Sequence, residues 1–269
     1  MFTTLGKLPY GPQYQFTLRE IAQKFAETDP ERGFTWLNSL GHVMENTVAF
    51  SSFFGTLSGK NPEAAIDWVG KINFEGGQKA AAFSTCIGVA SADPALGWEL
   101  TSRWKNIVVD QNSIRSQVIQ VISRSEGVEK AWSLFNPDGQ KLDSNDVKFF
   151  LGAAKFESPN DAVEFTTRKL QIDTQASALQ AIVANWPPNS LSAVSEELAT
   201  RPVEPRFDLA YRALAMRIYV NDPASAAQWV SIIADPKTRE ETQNLIRNYV
   251  AKNDKSLLRD IDVILEKNK

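Results

Sequence analysis

The chain has 269 residues, with 43% hydrophobic and 23% charged side chains, enough apolar content for a sizeable core and too much for a mainly disordered polymer. Its 29 Lys and Arg against 32 Asp and Glu give a net charge of -3, the wrong sign for a protein whose affinity comes from neutralising phosphates. One Cys and one His exclude a disulfide framework and any zinc site built from several such ligands.

From the N-terminus, Met1 to Phe16 carries Lys7 but no apolar run, and Pro9, Gly11 and Pro12 break it. It reads as an N-terminal extension, 1–16, rather than a secretory signal. No window reaches the eighteen or so apolar residues of a membrane span. The simplest location is the cytoplasm; removal of an export leader from a longer precursor leaves a periplasmic or secreted location open.

From residue 17 onward the chain repeats itself. Asp29-Pro30, Asn61-Pro62 and Asp93-Pro94 are 32 residues apart, and Ser125, Ser158, Asn189, Asp222 and Asn253 continue the series in steps of 32, 33, 31, 33 and 31. Each marks a helix start, because a short polar side chain accepts an orphan backbone N–H while a following Pro lacks the donor that would go unsatisfied. A small residue follows at the fourth position and a Trp or other apolar residue at the seventh: Gly33 and Trp36, Ala65 and Trp68, Gly97 and Leu100, Ala162 and Phe165, Ala226 and Trp229. The fourth unit keeps Trp132 with Glu129 in the small position, the sixth puts Glu196 in the Trp position, and the last is the most degenerate.

A second helix precedes every cap. Its apolar columns lie eleven, eight, seven, four and three residues before the cap, as in Leu18, Ile21, Ala22, Phe25 and Ala26, or Phe50, Phe53, Phe54 and Leu57. Thr17 with Glu20 forms a capping box that predicts the start of the first such helix. Breakers separate the helices at Gly41, Gly76-Gly77, Asn136-Pro137-Asp138-Gly139, Pro202 with Pro205, and Asp235-Pro236. The expected fold is all-α: a right-handed α-α superhelix, or solenoid, of about eight helical hairpins in a single repeat domain, 17–269, with helices of about 12 to 15 residues.

On these repeats the chain resembles the α-helical solenoids of the TPR and HEAT-like kind. The Asp-Pro-x-x-Ala-x-x-Trp signature departs from the TPR pattern in period and in its Trp and Pro placement. It is more similar to bacterial helical-repeat proteins with units led by Asp-Pro. The resemblance covers residues 17 to 267 and implies a binding scaffold, with no catalytic residues to carry over.

Little in the sequence points to chemistry. His42 lies in a turn beside Gly41, and Cys86 falls in the apolar column of Phe54, Val118, Leu151 and Ile182, which marks it as core. Glu196-Glu197, Glu240-Glu241 and Asp260 with Asp262 point to different sides of a helix rather than toward one another. No phosphate-binding or dinucleotide motif is present, and no cofactor or metal is expected. The Trp residues align with repeat positions and read as core, including Trp186, which stands where Ala26, Ala90 and Ile122 stand elsewhere.

One pattern suggests a surface. Ten residues before each cap stand Arg19, Ser51, Phe83, Arg115, Lys148, Leu179, Arg212 and Gln243; one turn later stand Gln23, Gly55, Ile87, Ile119, Gly152, Val183, Met216 and Arg247. Aligned across stacked repeats, these would make an apolar strip flanked by cations, with Arg19, Phe83, Arg115, Lys148, Arg212, Met216 and Arg247 as candidate contacts. The competing reading is a core flank edged by long basic side chains. The expected function is a non-enzymatic scaffold that binds a protein or peptide of acidic character on the concave face of the superhelix. The alternatives are a carbohydrate-active enzyme of the α/α-toroid type and, lower, a HEAT-like nucleic-acid binder.

Overall fold

The computed structural model describes residues 11–108 and 110–266, and these contain sixteen α-helices, four short 3-10 turns and no strand. The chain divides at Pro137 and Asp138, inside the Asn136 to Gly139 breaker, into two compact units.

The first unit holds α1 (Pro12–Thr28), α2 (Pro30–Ser39), α3 (Thr47–Lys60), α4 (Pro62–Val69), α5 (Glu75–Ala92), α6 (Pro94–Arg103), α7 (Gln111–Ser125) and α8 (Val128–Phe135). The second holds α9 (Ser144–Ala153), α10 (Pro159–Lys169), α11 (Ile172–Asn185), α12 (Leu191–Ala199), α13 (Asp208–Ile218), α14 (Pro223–Ser231), α15 (Pro236–Asn253) and α16 (Leu258–Glu266). Odd helices precede the caps and run 10 to 18 residues; even helices follow them and run only 8 to 11, shorter than the repeat spacing predicts. Within each unit, sequential helices and successive odd helices pack on one another, as in α1 with α3 and α3 with α5, or α11 with α13.

Five caps behave as the sequence predicts. The side chains of Asp29, Asn61, Asp93, Ser158 and Asp222 accept from the backbone N–H three residues on, at 3.0 to 3.3 Å. The other three units depart, each for a local reason. In the fourth, Gly127 adopts φ 87, a left-handed conformation that glycine enters without steric penalty, and α8 starts at Val128. In the sixth, Asn189 lies inside the 3-10 turn Pro188–Ser190, and Ser190 becomes the N-cap. In the eighth, Asn253 ends α15, and Asp254 accepts from the Ser256 N–H at 3.1 Å.

Counting from the caps seen in the structure makes the fourth position uniformly buried. Four residues after the true cap stand Gly33, Ala65, Gly97, Ala131, Ala162, Val194 and Ala226, all buried. The apparent misfit of Glu129 was therefore a displaced cap, and Trp132 belongs at the fifth position, with Phe34 and Trp98. Where that residue is Gly or Ala, as in six of the seven, an even helix approaches its hairpin partner closely. A Cβ on Gly33 would come within 2.5 Å of Phe53 and 2.6 Å of the Phe25 Cβ.

The first helix also corrects an expectation. It opens at Pro12, and Thr17 lies inside it, its hydroxyl donating to the Gln13 carbonyl at 2.9 Å instead of forming a capping box. Residues 1–10 of the expected extension lie outside the described residues, while 12–16 belong to α1, where Tyr14 is buried and donates from its hydroxyl to Asn46 Oδ1 at 2.8 Å.

Three caps of the second unit carry a pH signature. Hydrogen bonds from Ser225, Thr238 and Ser256 hold Asp222, Asp235 and Asp254 respectively below the ordinary carboxylate value of 3.8. Because the folded values are depressed, the stabilisation is complete above the unfolded value and is lost as pH falls through the lower folded values. Circular-dichroism melts from pH 7 downward should show a falling midpoint only below about pH 4, with a shallower fall when Asp222 is replaced by Asn.

Candidate functional site

The basic and apolar columns do not run as a uniform open ridge. Ile119, Leu179, Val183 and Gln243 are buried, because α7, α11 and α15, the helices ahead of the three displaced caps, turn an arc shifted by one residue into the core. Arg19 and Lys148 are exposed, on α1 of the first unit and α9 of the second. Phe83, Arg115, Arg212, Met216 and Arg247 are half-buried.

Three of the cations are engaged within the fold. The Arg115 guanidinium lies 5.0 Å from the centroid of Trp98 and 5.6 Å from that of Phe135, so it leans onto α6 and α8. Arg212 sits 3.7 Å from Glu241 on α15, and the Arg247 Nε donates to Asp262 on α16 at 2.7 Å. These partners tie neighbouring helices together. Among the seven candidate contacts, Arg19, Phe83 and Arg115 share the first unit, and Lys148, Arg212, Met216 and Arg247 the second.

A cavity of about 710 Å3 in the second unit was not foreseen. It lies among α12, α13 and α14, with Leu198, Leu214, Ile218, Trp229 and Ile232 supplying its apolar surface and Ser192, Ser195, Ser225 and Gln228 its uncharged polar groups. Its size falls in the ordinary range for ligand-binding clefts, roughly 300 to 1,000 Å3. Val203, 59% exposed, stands at its edge.

The charged groups around it serve the fold. Arg201 Nε donates to Glu197 Oε1 at 2.6 Å and its Nη2 to Asn160 at 3.0 Å. Arg217 Nη1 donates to the carbonyls of Val183 and Trp186, at 2.7 and 2.6 Å, answering acceptors that the end of α11 leaves open. Asp222 caps α14.

The sequence contained the signal for this cavity, hidden by the misplaced cap. Counted from Ser190, the fifth position of the sixth unit is Ser195, where earlier units have Phe34, Ile66, Trp98, Trp132 and Val163. In the first unit Phe34 stacks on Trp68 of the next even helix, with centroids 4.9 Å apart and planes at 24°. Trp229 is the counterpart of Trp68. One ring of the preceding odd helix, Tyr211, stacks on it at 5.7 Å, as Phe53 does on Trp68 at 6.4 Å, but α12 contains no aromatic residue to supply the second ring.

The residues that could bear chemistry are placed as core or surface. Cys86 is buried, and burial pushes its thiol up to about 12. His42 is exposed and stacks on Phe74, centroids 5.3 Å apart. Burial, then the carboxylates of Asp208 and Glu204, raises Tyr211. Trp186 is half-buried and packs against the second unit's core. Among the described residues no three His, Cys, Asp or Glu side chains come together to hold a metal ion, and no helix is long and apolar enough to cross a membrane. Comparison with protein-family models, with curated proteins and with solved structures finds no match.

Proposed function

We propose that this chain is a non-enzymatic helical-repeat scaffold, of the Asp-Pro-led kind its sequence resembles, and that it binds a protein or peptide on faces its hairpins leave open. The observation that carries this reading is the cavity among α12, α13 and α14, which offers an apolar floor and uncharged polar groups while its charged neighbours are bonded within the fold. General acid–base work calls for a group titrating near the operating pH. The shifts of Cys86, Tyr211 and Asp222 instead move those groups away from neutrality.

The acidic character of the partner rests on the exposed cations of the odd helices. Arg19 and Lys148 are the clean probes, because reversing Arg115, Arg212 or Arg247 also removes a contact that joins helices. Peptides selected from a random displayed library against the immobilised chain are expected to be enriched in Asp and Glu. Lys148→Glu, in the unit that holds the cavity, is expected to weaken their binding about threefold at 50 mM salt, less at 300 mM, and Arg19→Glu, made separately, reads the same charge effect for binders of the other unit, each with an unchanged melting profile. A library that yields no binder overturns the scaffold reading. Binders indifferent to both reversals overturn the acidic partner.

A further inference from the structure

We infer that the cavity of the second unit is a socket for an uncharged aromatic side chain, presented by a bound polypeptide, that stacks on Trp229. The inference deepens the scaffold reading and rests on it for the identity of the guest as a polypeptide.

The argument begins with what the repeat does elsewhere. At the fifth position after the cap, a large apolar side chain spans the gap to the next even helix, as Phe34 does to Trp68. Trp98 does the same to Phe135 at 6.0 Å. At Ser195 the chain supplies only a hydroxymethyl group, and both Ser195 and Trp229 line the resulting space. Tyr211 stacks on Trp229 from the odd helix α13, which leaves the side toward α12 without the ring the first unit places there. In the seventh unit the same position holds Ala227, which is fully buried, so a small residue there does not by itself open a cleft. The site belongs to the α12–α14 gap specifically.

The lining favours a neutral guest, because its surface is mostly apolar and its charged groups are bonded within the fold. Arg201 is paired with Glu197, Arg217 is spent on two carbonyls of α11, and Asp222 on the α14 N-terminus. A charged guest would be desolvated against Leu198, Leu214 and Ile232, and the lining cation that lacks a carboxylate partner, Arg217, has its Nη1 committed to two carbonyls of α11. An aromatic ring loses nothing on entering, gains offset stacking on the indole, and finds Ser192, Ser195, Ser225 and Gln228 within the lining for an indole N–H or phenol O–H. The Val203 edge, largely exposed, leaves a way in from solvent for a side chain still attached to its backbone.

The test uses the full chain and two probes, indole and a neutral pentapeptide with one central tryptophan, with its alanine analogue as control. The readout is the side-chain N–H resonance of Trp229 in nitrogen–proton NMR spectra, assigned by its loss in Trp229→Phe. Indole is expected to shift that resonance saturably with a Kd on the order of 1 mM, and the tryptophan peptide to bind more tightly than indole while the alanine analogue does nothing. Ser195→Phe should fill the socket in the manner of Phe34, raise the melting temperature, and weaken both probes at least tenfold. Should that variant fail to fold, Ser195→Leu provides a smaller filling group with the same expectation. A flat Trp229 resonance, or binding undiminished in a folded, filled variant, overturns the socket and leaves the library selection to judge the scaffold reading separately. Indole binding with no binding of the tryptophan peptide overturns the polypeptide guest and assigns the site to a free aromatic compound.

Discussion

Gly97→Ala is expected to destabilise the first unit by about 2 kcal/mol, even though alanine is the better helix former by about 1 kcal/mol in an ordinary helix interior. The reason is the hairpin of α5 and α6, which closes around Asp93. A Cβ on Gly97 would lie 2.4 Å from the Cα, 2.5 Å from the Cβ and 2.6 Å from the N of Ala90. Backbone cannot rotate aside as a long side chain can, so the two helices must separate and open the packing of Val89, Ala90 and Leu100, all buried. Gly55 is the control within the same unit. It is exposed on α3 with its nearest neighbour, the Ser84 Cβ, at 3.9 Å, so Gly55→Ala should be neutral or stabilising by a few tenths to 1 kcal/mol. Chemical unfolding followed by circular dichroism measures both. Equal effects of opposite expectation, or a stabilised Gly97→Ala, would show that the even helices do not approach their partners as closely as described.

Asp208→Ala carries the other large effect, about 3 kcal/mol, in the second unit. Asp208 is 3% exposed, and its two carboxylate oxygens accept from the backbone N–H groups of Ala234 and Asp235 at 2.8 Å each. One side chain at the start of α13 thereby fixes the connection between α14 and α15. Removing it strands two part-buried donors, so each loss falls in the lower half of the roughly 1 to 3 kcal/mol that a fully buried, unpartnered donor costs. Asp208→Asn should fall between wild type and Ala, because the amide keeps one acceptor and turns a donor toward the second N–H. Amide hydrogen exchange at Ala234 and Asp235 reads the same contact locally: protection in the wild type, and its loss in Asp208→Ala beyond what the global change explains.

Much of the all-helical fold was legible because helix starts obey simple rules. Asp29, Asn61, Asp93, Ser158 and Asp222 were readable as caps since each combines an acceptor side chain with, in every case, a proline at the first helical position. Cys86 was readable as core from its column, and its burial agrees. What escaped was register where a glycine or a 3-10 turn stands between the hairpin arms in place of a single capping residue followed by proline. Gly127, the Pro188–Ser190 turn and the Lys255–Leu257 turn each displace a cap, and nothing in hydrophobic periodicity signals a 3-10 turn. The same displacement accompanies a shifted buried arc in the helix before it. Columns read straight from sequence spacing therefore mix surface residues such as Arg19 and Lys148 with buried ones such as Leu179 and Gln243.

The candidate site was less legible than the fold for a related reason. A socket is defined by the side chain that is missing, and a missing side chain is visible only when the register is right. With the cap at Asn189, Glu196 takes the Trp position and the irregularity reads as decay of the repeat. With the cap at Ser190, Ser195 takes the fifth position and, with Trp229, lines a space of about 710 Å3. The arginines show what spacing alone leaves out. Arg115, Arg212 and Arg247 looked like a binding stripe, while their guanidinium groups meet Trp98 and Phe135, Glu241 and Asp262 inside the fold.

The measurement that bears most directly on the scaffold claim is amide hydrogen exchange of the full chain with and without a saturating library-selected peptide. Protection rising across α12 to α14, Leu191 through Ser231, with little change in Cys86 and its neighbours on α5, is the predicted result. Protection confined to other helices, or no change at saturation, would contradict it.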